Sequence, residues 1–277
     1  MVDLSIDSNQ LEVKKALTEV AQLQSNRAFR DRNNLFYIEG VRNFIQVAEN
    51  NFQIATILYS EKLLIVPPAR KLVRSLRRNG VKTIKLTPEE FRIISHAKKA
   101  SGIAAIVHQK WTKLHQASPN TGLCWIALEK VRHPGNLGTL IRTSEAIGGG
   151  GFIFIGKNID PYAPDAIRAT MGALFHQTLI RTTYSSLEHW ICRHNCGVVG
   201  ASLAGNVDFH CFKYPRSTII FLGEERKGLS KNQQDLCHHL IRIPMVGKSD
   251  SLNLAVAGSL LLYEVYKSKT NSKSRKR

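Results

Sequence analysis

The sequence predicts an α/β protein, with a mostly parallel sheet in its C-terminal half and a smaller α/β module before it. Two observations predict this. Apolar strand-like runs alternate with helix-like stretches, and such alternation implies a parallel sheet covered by helices on both sides. A polar, turn-rich stretch, TKLHQASPNT (112–121), interrupts the alternation and reads as a linker. With 277 residues and 43% hydrophobic content, the chain has enough apolar material for two modest cores.

In the first module, NQLEVKKALTEVAQL has helical periodicity. LFYIEG is a short strand ending in an acid and a glycine, VRNFIQVAENN a helix, and IATILYS the next strand. ARKLVRSLRRNG is a basic helix closed by Gly80. VKTIKL is a strand, and TPEEFRIIS opens a helix with Thr87 as N-cap and Pro88 at the first position. GIAAIVHQ closes the module as a strand.

The second unit opens with the buried strand LCWIALE. There follow helix LGTLIRTSEAIG, strand GFIFIG, a helix near DAIRATMGALF, strand TLIRT and helix SLEHWICRHN. Strands GVVGAS, STIIFLG and LIRIPM come next, then a final apolar helix. The expected boundaries are a first domain at 1–111, a linker at 112–121, a second domain at 122–266 and a basic disordered tail at 267–277.

The formal net charge is +18, unevenly spread. Ten Lys and Arg fall between Arg70 and Lys99, and six in the tail, whereas the stretch 111–266 is nearly balanced. Such a field attracts a polyanion, and nucleic acid fits better than a membrane because no amphipathic anchor is evident. The longest apolar run, 252–262, is shorter than a membrane span and is interrupted by Asn253, Gly258 and Ser259. MVDLSIDSNQLEVKK lacks the basic-then-apolar order of a secretory leader, so a cytoplasmic protein is expected. Five cysteines make an odd count for a disulfide framework. HWICRHNC (189–196) and CHH (237–239) could be drawn as a zinc site, but no pair has C-x2-C spacing, and no metal is expected.

Two nucleotide motifs fail on inspection. GFIFIGKN has the spacing of a P-loop, but it lacks the Ser or Thr that holds Mg²⁺ and its intervening residues form a strand. GGGG (148–151) follows a helix and precedes a strand, the reverse of the dinucleotide fingerprint, so it ends a helix.

Three stretches that follow strands suit chemistry better. In EKVRHPGNLGTLIRTSEAIG, Asn136 begins a helix, where an N-cap would explain it. Arg142 lies six positions on, roughly 600° of helical rotation away. Its neighbours Leu140, Ile141, Ala146 and Ile147 are apolar, and a guanidinium buried among them would need an anionic partner. TIIFLGEERKGLS delivers Gly223, two carboxylates and Gly228, with glycines that allow close backbone approach to a ligand. IPMVGKSDSLNLAVAGSLLLYE passes from a loop through Ser251 and Asn253 into the apolar helix. Ligands bind at strand carboxyl ends in open α/β sheets, so these edges would make one pocket.

Together NLGTLIRT, FLGEERKGLS and IPMVGKSDSLNLAVAGSLLLYE resemble the three signature motifs of the SpoU (TrmH-like) family, RNA ribose 2′-O-methyltransferases of the SPOUT superfamily. LFYIEGVR and KKASGIAAIV resemble an L30e-like RNA-binding domain that precedes many of these enzymes. In motif two the family's Glu aligns with Glu225; Glu224 and Arg226 stand where members often have Asn or Ser, and Gly.

The resemblance implies a SPOUT-type open parallel sheet whose C-terminal segment threads a deep trefoil knot, with S-adenosylmethionine as cofactor and a homodimer as the assembly. It implies cofactor contacts from Leu222, Gly223, Glu225, Gly228, Ile243, Met245, Ser251 and Leu252. It further implies a catalytic group of Arg142, Asn136, Glu225, Ser251 and Asn253, with Ser251 and Asn253 capping the last helix while facing the methyl-donor pocket. A guanidinium is a poor base, so Arg142 is expected to anchor a phosphate. Arg30, Arg74, Arg77, Arg78, Lys98 and Lys99 are expected to hold the RNA backbone without reading sequence. Ribosomal RNA is favoured as the substrate; transfer RNA, or a catalytically silent RNA-binding protein of the same fold, stays open as an alternative.

Overall fold

The computed structural model describes residues 8–274. The chain forms two compact units, one of residues 1–110 with 162–167, the other of 111–161 with 168–277.

In the first unit the order is α1 (Ser8–Ser25), α2 (Arg27–Asn33), β1 (Leu35–Glu39), α3 (Val41–Glu49), β2 (Ile54–Tyr59), α4 (Pro67–Arg78), β3 (Lys82–Lys85), α5 (Pro88–Ile94) and β4 (Ile103–His108). The strands make one sheet in the order β1-β4-β2-β3, antiparallel except for β2 with β3. Tyr37, Leu58, Ala104 and Ile106 pack in one core with Val13, Val20 and Leu23 of α1 and Phe91 and Ile94 of α5. Their alternates Phe36, Ile38, Ile57, Ala105 and Val107 are also buried, so the pleat has helices to cover on both faces. Thr87 caps α5 in a reciprocal box with Glu90. Gly80 takes φ +86° just past the end of α4, a conformation suited to glycine.

The second unit contains β5 (Trp125–Leu128), α6 (Pro134–Ala146), β6 (Gly151–Ile155), α7 (Pro164–Thr170), β7 (Thr178–Thr182), α8 (Tyr184–His194), β8 (Gly197–Ala201), β9 (Val207–Asp208), β10 (Thr218–Leu222), α9 (Lys231–Leu236), β11 (His239–Arg242) and α10 (Leu254–Ser274), although the start of α7 groups with the first unit. Its seven strands run in the order β7-β6-β5-β10-β8-β11-β9 and every pairing is parallel. Trp125, Ala127, Ile153, Ile180 and Phe221 pack against Leu187, Trp190 and Ile191 of α8. On α10, a Cβ added at Gly258 would stand 2.5 Å from Leu140 Cδ1 and 2.9 Å from Leu222 Cδ1, so glycine lets α10 lie close on α6 and β10. Ser259 Oγ donates to Thr143 Oγ1 at 3.0 Å across the same contact.

Four expectations change. The stretch 112–121 is packed and not a free linker: the Thr112 amide donates to Leu179 O at 2.9 Å, and Ala117 is buried in the second core. The helix expected near DAIRATMGALF breaks at Met171 and Gly172, both with positive φ, and continues as a short 3-10 turn, Ala173–His176. The segment expected as a disordered tail is helical to Ser274, and 275–277 lie outside the described residues. There Lys269 Nζ donates to the carbonyls of Leu123 and Arg216, and burial lowers its pKa. Finally, Arg30 is only 5% exposed and donates to Leu23 O at 2.7 Å, so its guanidinium braces the turn between α1 and α2 and does not face RNA.

Candidate active site

β5, β10, β8 and β11 are neighbours in the sheet and run parallel, so the loops after them open on one edge. Sheet order differs from chain order, and this brings distant stretches together. A cavity of about 360 Å³ lies there, a size suited to a small-molecule ligand. Leu222, Gly223, Glu225, Gly228, Ile243, Met245, Ser251 and Leu252 all line it. So do Ala201, Ser202, Leu203 and Ala204, which the sequence did not single out. Small or apolar side chains at the end of a strand carry no chemical pattern; only the position of β8 beside β10 marks them.

The loop after β10 is a tight hairpin. The Glu224 amide donates to Gly228 O at 3.1 Å and the Gly228 amide to Glu224 O at 2.9 Å, with Gly228 at φ +64°. A Cβ on Gly223 would stand 2.1 Å from the Gly228 carbonyl carbon, so any side chain there would force the hairpin open.

Its two carboxylates reach the loop after β5. Glu225 accepts from the Arg132 amide at 3.3 and 3.2 Å and from Asn136 Nδ2 at 3.3 Å. Asn136 Oδ1 in turn accepts from Asn253 Nδ2 at 3.0 Å. Asn253 Oδ1 accepts from the amides of Ala255 and Val256 at 2.8 and 3.3 Å, capping α10. One chain of bonds therefore joins all three motifs. Glu224 meets the Arg132 guanidinium at 2.6 Å and Lys130 Nζ at 3.4 Å; chiefly the Arg132 bond holds its carboxyl below the usual range. Beneath these loops, Glu129 Oε2 accepts from Tyr184 Oη and Gln233 Nε2, both at 2.6 Å. Burial, then this carboxylate, pushes the Tyr184 phenol up to about 12.

Three expectations about side chains are revised. Asn136 is the third residue of α6, whose N-cap is His133, so its amide is available for the Glu225–Asn253 link. Ser251 is exposed at the cavity wall and does not cap α10; Asn253 does so alone. Arg142 is exposed. Leu137, Gly138, Leu140, Ile141 and Ser144 form the buried face of α6, which leaves Arg142 on the opposite stripe with Thr139 and Ala146.

On the first unit, Arg74, Arg77 and Arg78 are exposed on α4, whose Ala69 and Val73 are buried. Lys98 and Lys99 are exposed in the turn before β4. Among the described residues no group of three His, Cys, Asp or Glu could hold a metal ion, and no helix is long and apolar enough to cross a membrane. His238 Nδ1 accepts from the Val198 amide at 3.0 Å, a structural use of one member of the Cys/His cluster.

Comparison with known proteins now adds to this geometry. A family model for an MRM3-like substrate binding domain matches residues 14–105. The 23S rRNA (uridine(2479)-2′-O)-methyltransferase of Streptomyces viridochromogenes is 27% identical over 91% of this chain and 89% of its own length. The AdoMet-bound rRNA methyltransferase of Sinorhizobium meliloti superposes with a TM-score of 0.83 at 27% identity, covering 96% of this chain and 97% of its own. The SpoU methyltransferase AviRb of Streptomyces viridochromogenes, in complex with AdoMet, superposes with a TM-score of 0.82 at 26% identity, covering 92% and 99%. The model of the SpoU rRNA Methylase family matches residues 124–263, half of the chain, and takes in the cavity, the hairpin and the Asn136–Asn253 link; this chain belongs to that family.

Proposed function

We propose that this chain transfers the methyl group of S-adenosylmethionine to a ribose 2′-hydroxyl of ribosomal RNA, as a cytoplasmic homodimer. One observation carries the reading: the bonded chain Glu225–Asn136–Asn253 stands beside the cavity and ties together three stretches that all fall within the family match. The name of the Streptomyces viridochromogenes relative supports a ribose of ribosomal RNA as the target.

The residues fit such a cofactor. Leu222, Ile243, Met245, Leu252 and Leu254 give apolar walls, and Gly223 lines the cavity beside them. Leu222, Gly223, Ile243 and Leu252 would hold it by their backbone. S-adenosylmethionine brings a methyl group already activated on a sulfonium, so the protein is left to orient the acceptor and assist loss of its proton. Glu225, fixed from two sides, sits where it can orient the acceptor hydroxyl. Arg142 presents a planar guanidinium suited to anchoring a neighbouring phosphate.

The first unit captures RNA electrostatically through Arg74, Arg77, Arg78, Lys98 and Lys99, and the second performs the transfer. The homodimer reading is supported by α10. That helix buries one face on α6 and β10, yet Val256, Leu260 and Tyr263 are 48%, 40% and 56% exposed at i, i+4, i+7 spacing. A second copy of this face would cover the stripe. Residues from the loops after β10 and β11 both line the cavity, which supports the C-terminal threading that the family pattern implies.

The test is direct: purified protein, labelled S-adenosylmethionine and either ribosomal or transfer RNA, with modified nucleotides mapped by mass spectrometry. A 2′-O-methyl nucleotide is expected in ribosomal RNA. Label in transfer RNA alone would move the substrate, and transfer to neither would end the reading.

A further inference from the structure

Glu224 and Glu225 are consecutive, and both bind Arg132, one at each end of that residue. Glu224 takes the guanidinium, Nε to Oε1 at 2.6 Å, and Glu225 takes the backbone N–H at 3.2–3.3 Å. Among the described residues, the side chains of Lys130 and Arg132 have no partner other than Glu224. Glu224 is deeply set, its side chain 10% exposed, whereas that of Arg132 is 34% exposed. The bonds to Glu225 lie at the long end of the hydrogen-bond range, so its carboxylate sits well only if the Arg132 amide is held still. Among the described residues, the Glu224 ion pair alone holds that side chain.

We propose that Glu224 is a positioning residue. It clamps Arg132, with Lys130 on its second oxygen, so that the Arg132 amide aims the Glu225 carboxylate at Asn136. This deepens the methyl-transfer reading above and rests on it. It also gives a task to the carboxylate at which the sequence departs from the family pattern. The clamp works in three links: the ion pair sets the loop after β5, the loop presents one N–H, and that N–H orients Glu225.

A merely structural ion pair would lower melting temperature and leave the turnover of folded enzyme alone. The clamp predicts otherwise. Glu224→Gln should lower kcat about tenfold, as a small misplacement in a site does, while calorimetry finds S-adenosylmethionine affinity within about twofold of wild type. Exchanging the pair, Glu224→Arg with Arg132→Glu, should restore a substantial part of kcat. In a Glu225→Gln background, adding Glu224→Gln should cost almost nothing further, because the clamp acts only through Glu225. Wild-type kcat in Glu224→Gln, or losses that multiply in the double variant, would overturn the clamp and leave the function untouched. Absence of methyl transfer by wild type would overturn the function instead. The clamp is then judged by hydrogen exchange, where Glu224→Gln should speed exchange of residues 129–136 about tenfold; unchanged exchange there refutes it.

Discussion

Asn136 and Arg142 stand on the same helix, six residues apart, and their surroundings differ sharply. Asn136 is half-buried in the first turn of α6, giving a hydrogen bond to Glu225 and receiving one from Asn253. Arg142 stands in solvent with no hydrogen bond or ion pair among the described residues. The contrast teaches what the chain supplies alone and what it leaves open. The Asn136 end is complete before any ligand arrives, so its side chains are pre-oriented. The Arg142 end is a bare charge on an uncovered face, suited to meeting an anion brought from outside.

The largest effect should come from the bare end. Arg142→Ala is expected to lower methyl transfer about a hundredfold to a thousandfold, the usual cost of removing one electrostatic contact at a reacting centre. Melting temperature and cofactor affinity should stay at wild-type values, because an exposed side chain without partners holds nothing together. Retained turnover would take Arg142 out of the chemistry. A melting temperature that fell by several degrees would mean it has a structural partner, and the contrast with Asn136 would collapse.

Next in size is the uncovered stripe of α10. Leu260→Glu with Tyr263→Glu places two charges on the exposed face of α10. Light scattering should then report a monomer, and activity should fall about tenfold or more although every residue around the cavity is unchanged. A variant that stays dimeric shows that the copies meet elsewhere.

Much of this division could be read from the residues, and the parts that could not have physical reasons. Buried strands such as Thr218–Leu222 announce themselves as continuous apolar runs, and motifs at their carboxyl ends follow from strand direction. Asn253 was legible because a polar residue before an apolar helix has capping to do. Arg142 was misplaced because its apolar neighbours in sequence lie around the helix and not beside it. Leu140 and Ile141 face inward, while the guanidinium, 100° or so further on, faces out. The basic tail misled in the opposite sense. Charge suggested disorder, but Lys269 lies on the regular continuation of α10 and reaches two backbone carbonyls. Arg30 shows the same limit, since charge alone does not distinguish a guanidinium that binds carbonyls from one that awaits a phosphate.

A third, smaller effect tests whether the outward charges of the first unit belong with Arg142. Arg74→Glu, Arg77→Glu and Arg78→Glu together should weaken RNA binding about tenfold at physiological salt. The slope of affinity against salt should shallow by roughly two, given about 0.7 counterions released per phosphate contact on a single strand. Cofactor affinity should not change. Equal weakening of cofactor binding would show that α4 serves the fold of the second unit and not RNA.

Smaller again is the cost of loosening the bonded end. Asn253→Ala removes the α10 cap, worth about 1 kcal/mol, and leaves Asn136 Oδ1 without its donor. Melting temperature should drop by roughly 2–4 °C in a protein of this size, with a few-fold loss of turnover. Asn253→Ser keeps a capping oxygen but shortens the reach to Asn136. It should therefore recover stability without recovering turnover, separating two duties that one side chain performs. Full recovery of both would mean the link to Asn136 is incidental.

The smallest effect is set by pH. Acid sensitivity in this region can be traced to the Glu224 carboxylate. Glu224 is held below its ordinary value, first by the hydrogen bond from Arg132 and then by the charges of Lys130 and Arg132, against an opposing effect of burial. A depressed folded pKa means that the ion pair stabilises the fold above the unfolded value, near 4.3 or so, and that this contribution fades as pH falls through the folded value. Thermal melts of wild type and Glu224→Gln should therefore differ most at neutral pH and converge in acid. If the gap between the two curves is the same at both ends, Glu224 contributes packing and not charge. The clamp on Arg132 would then rest on shape alone, and both ends of α6 would lack an ionic anchor.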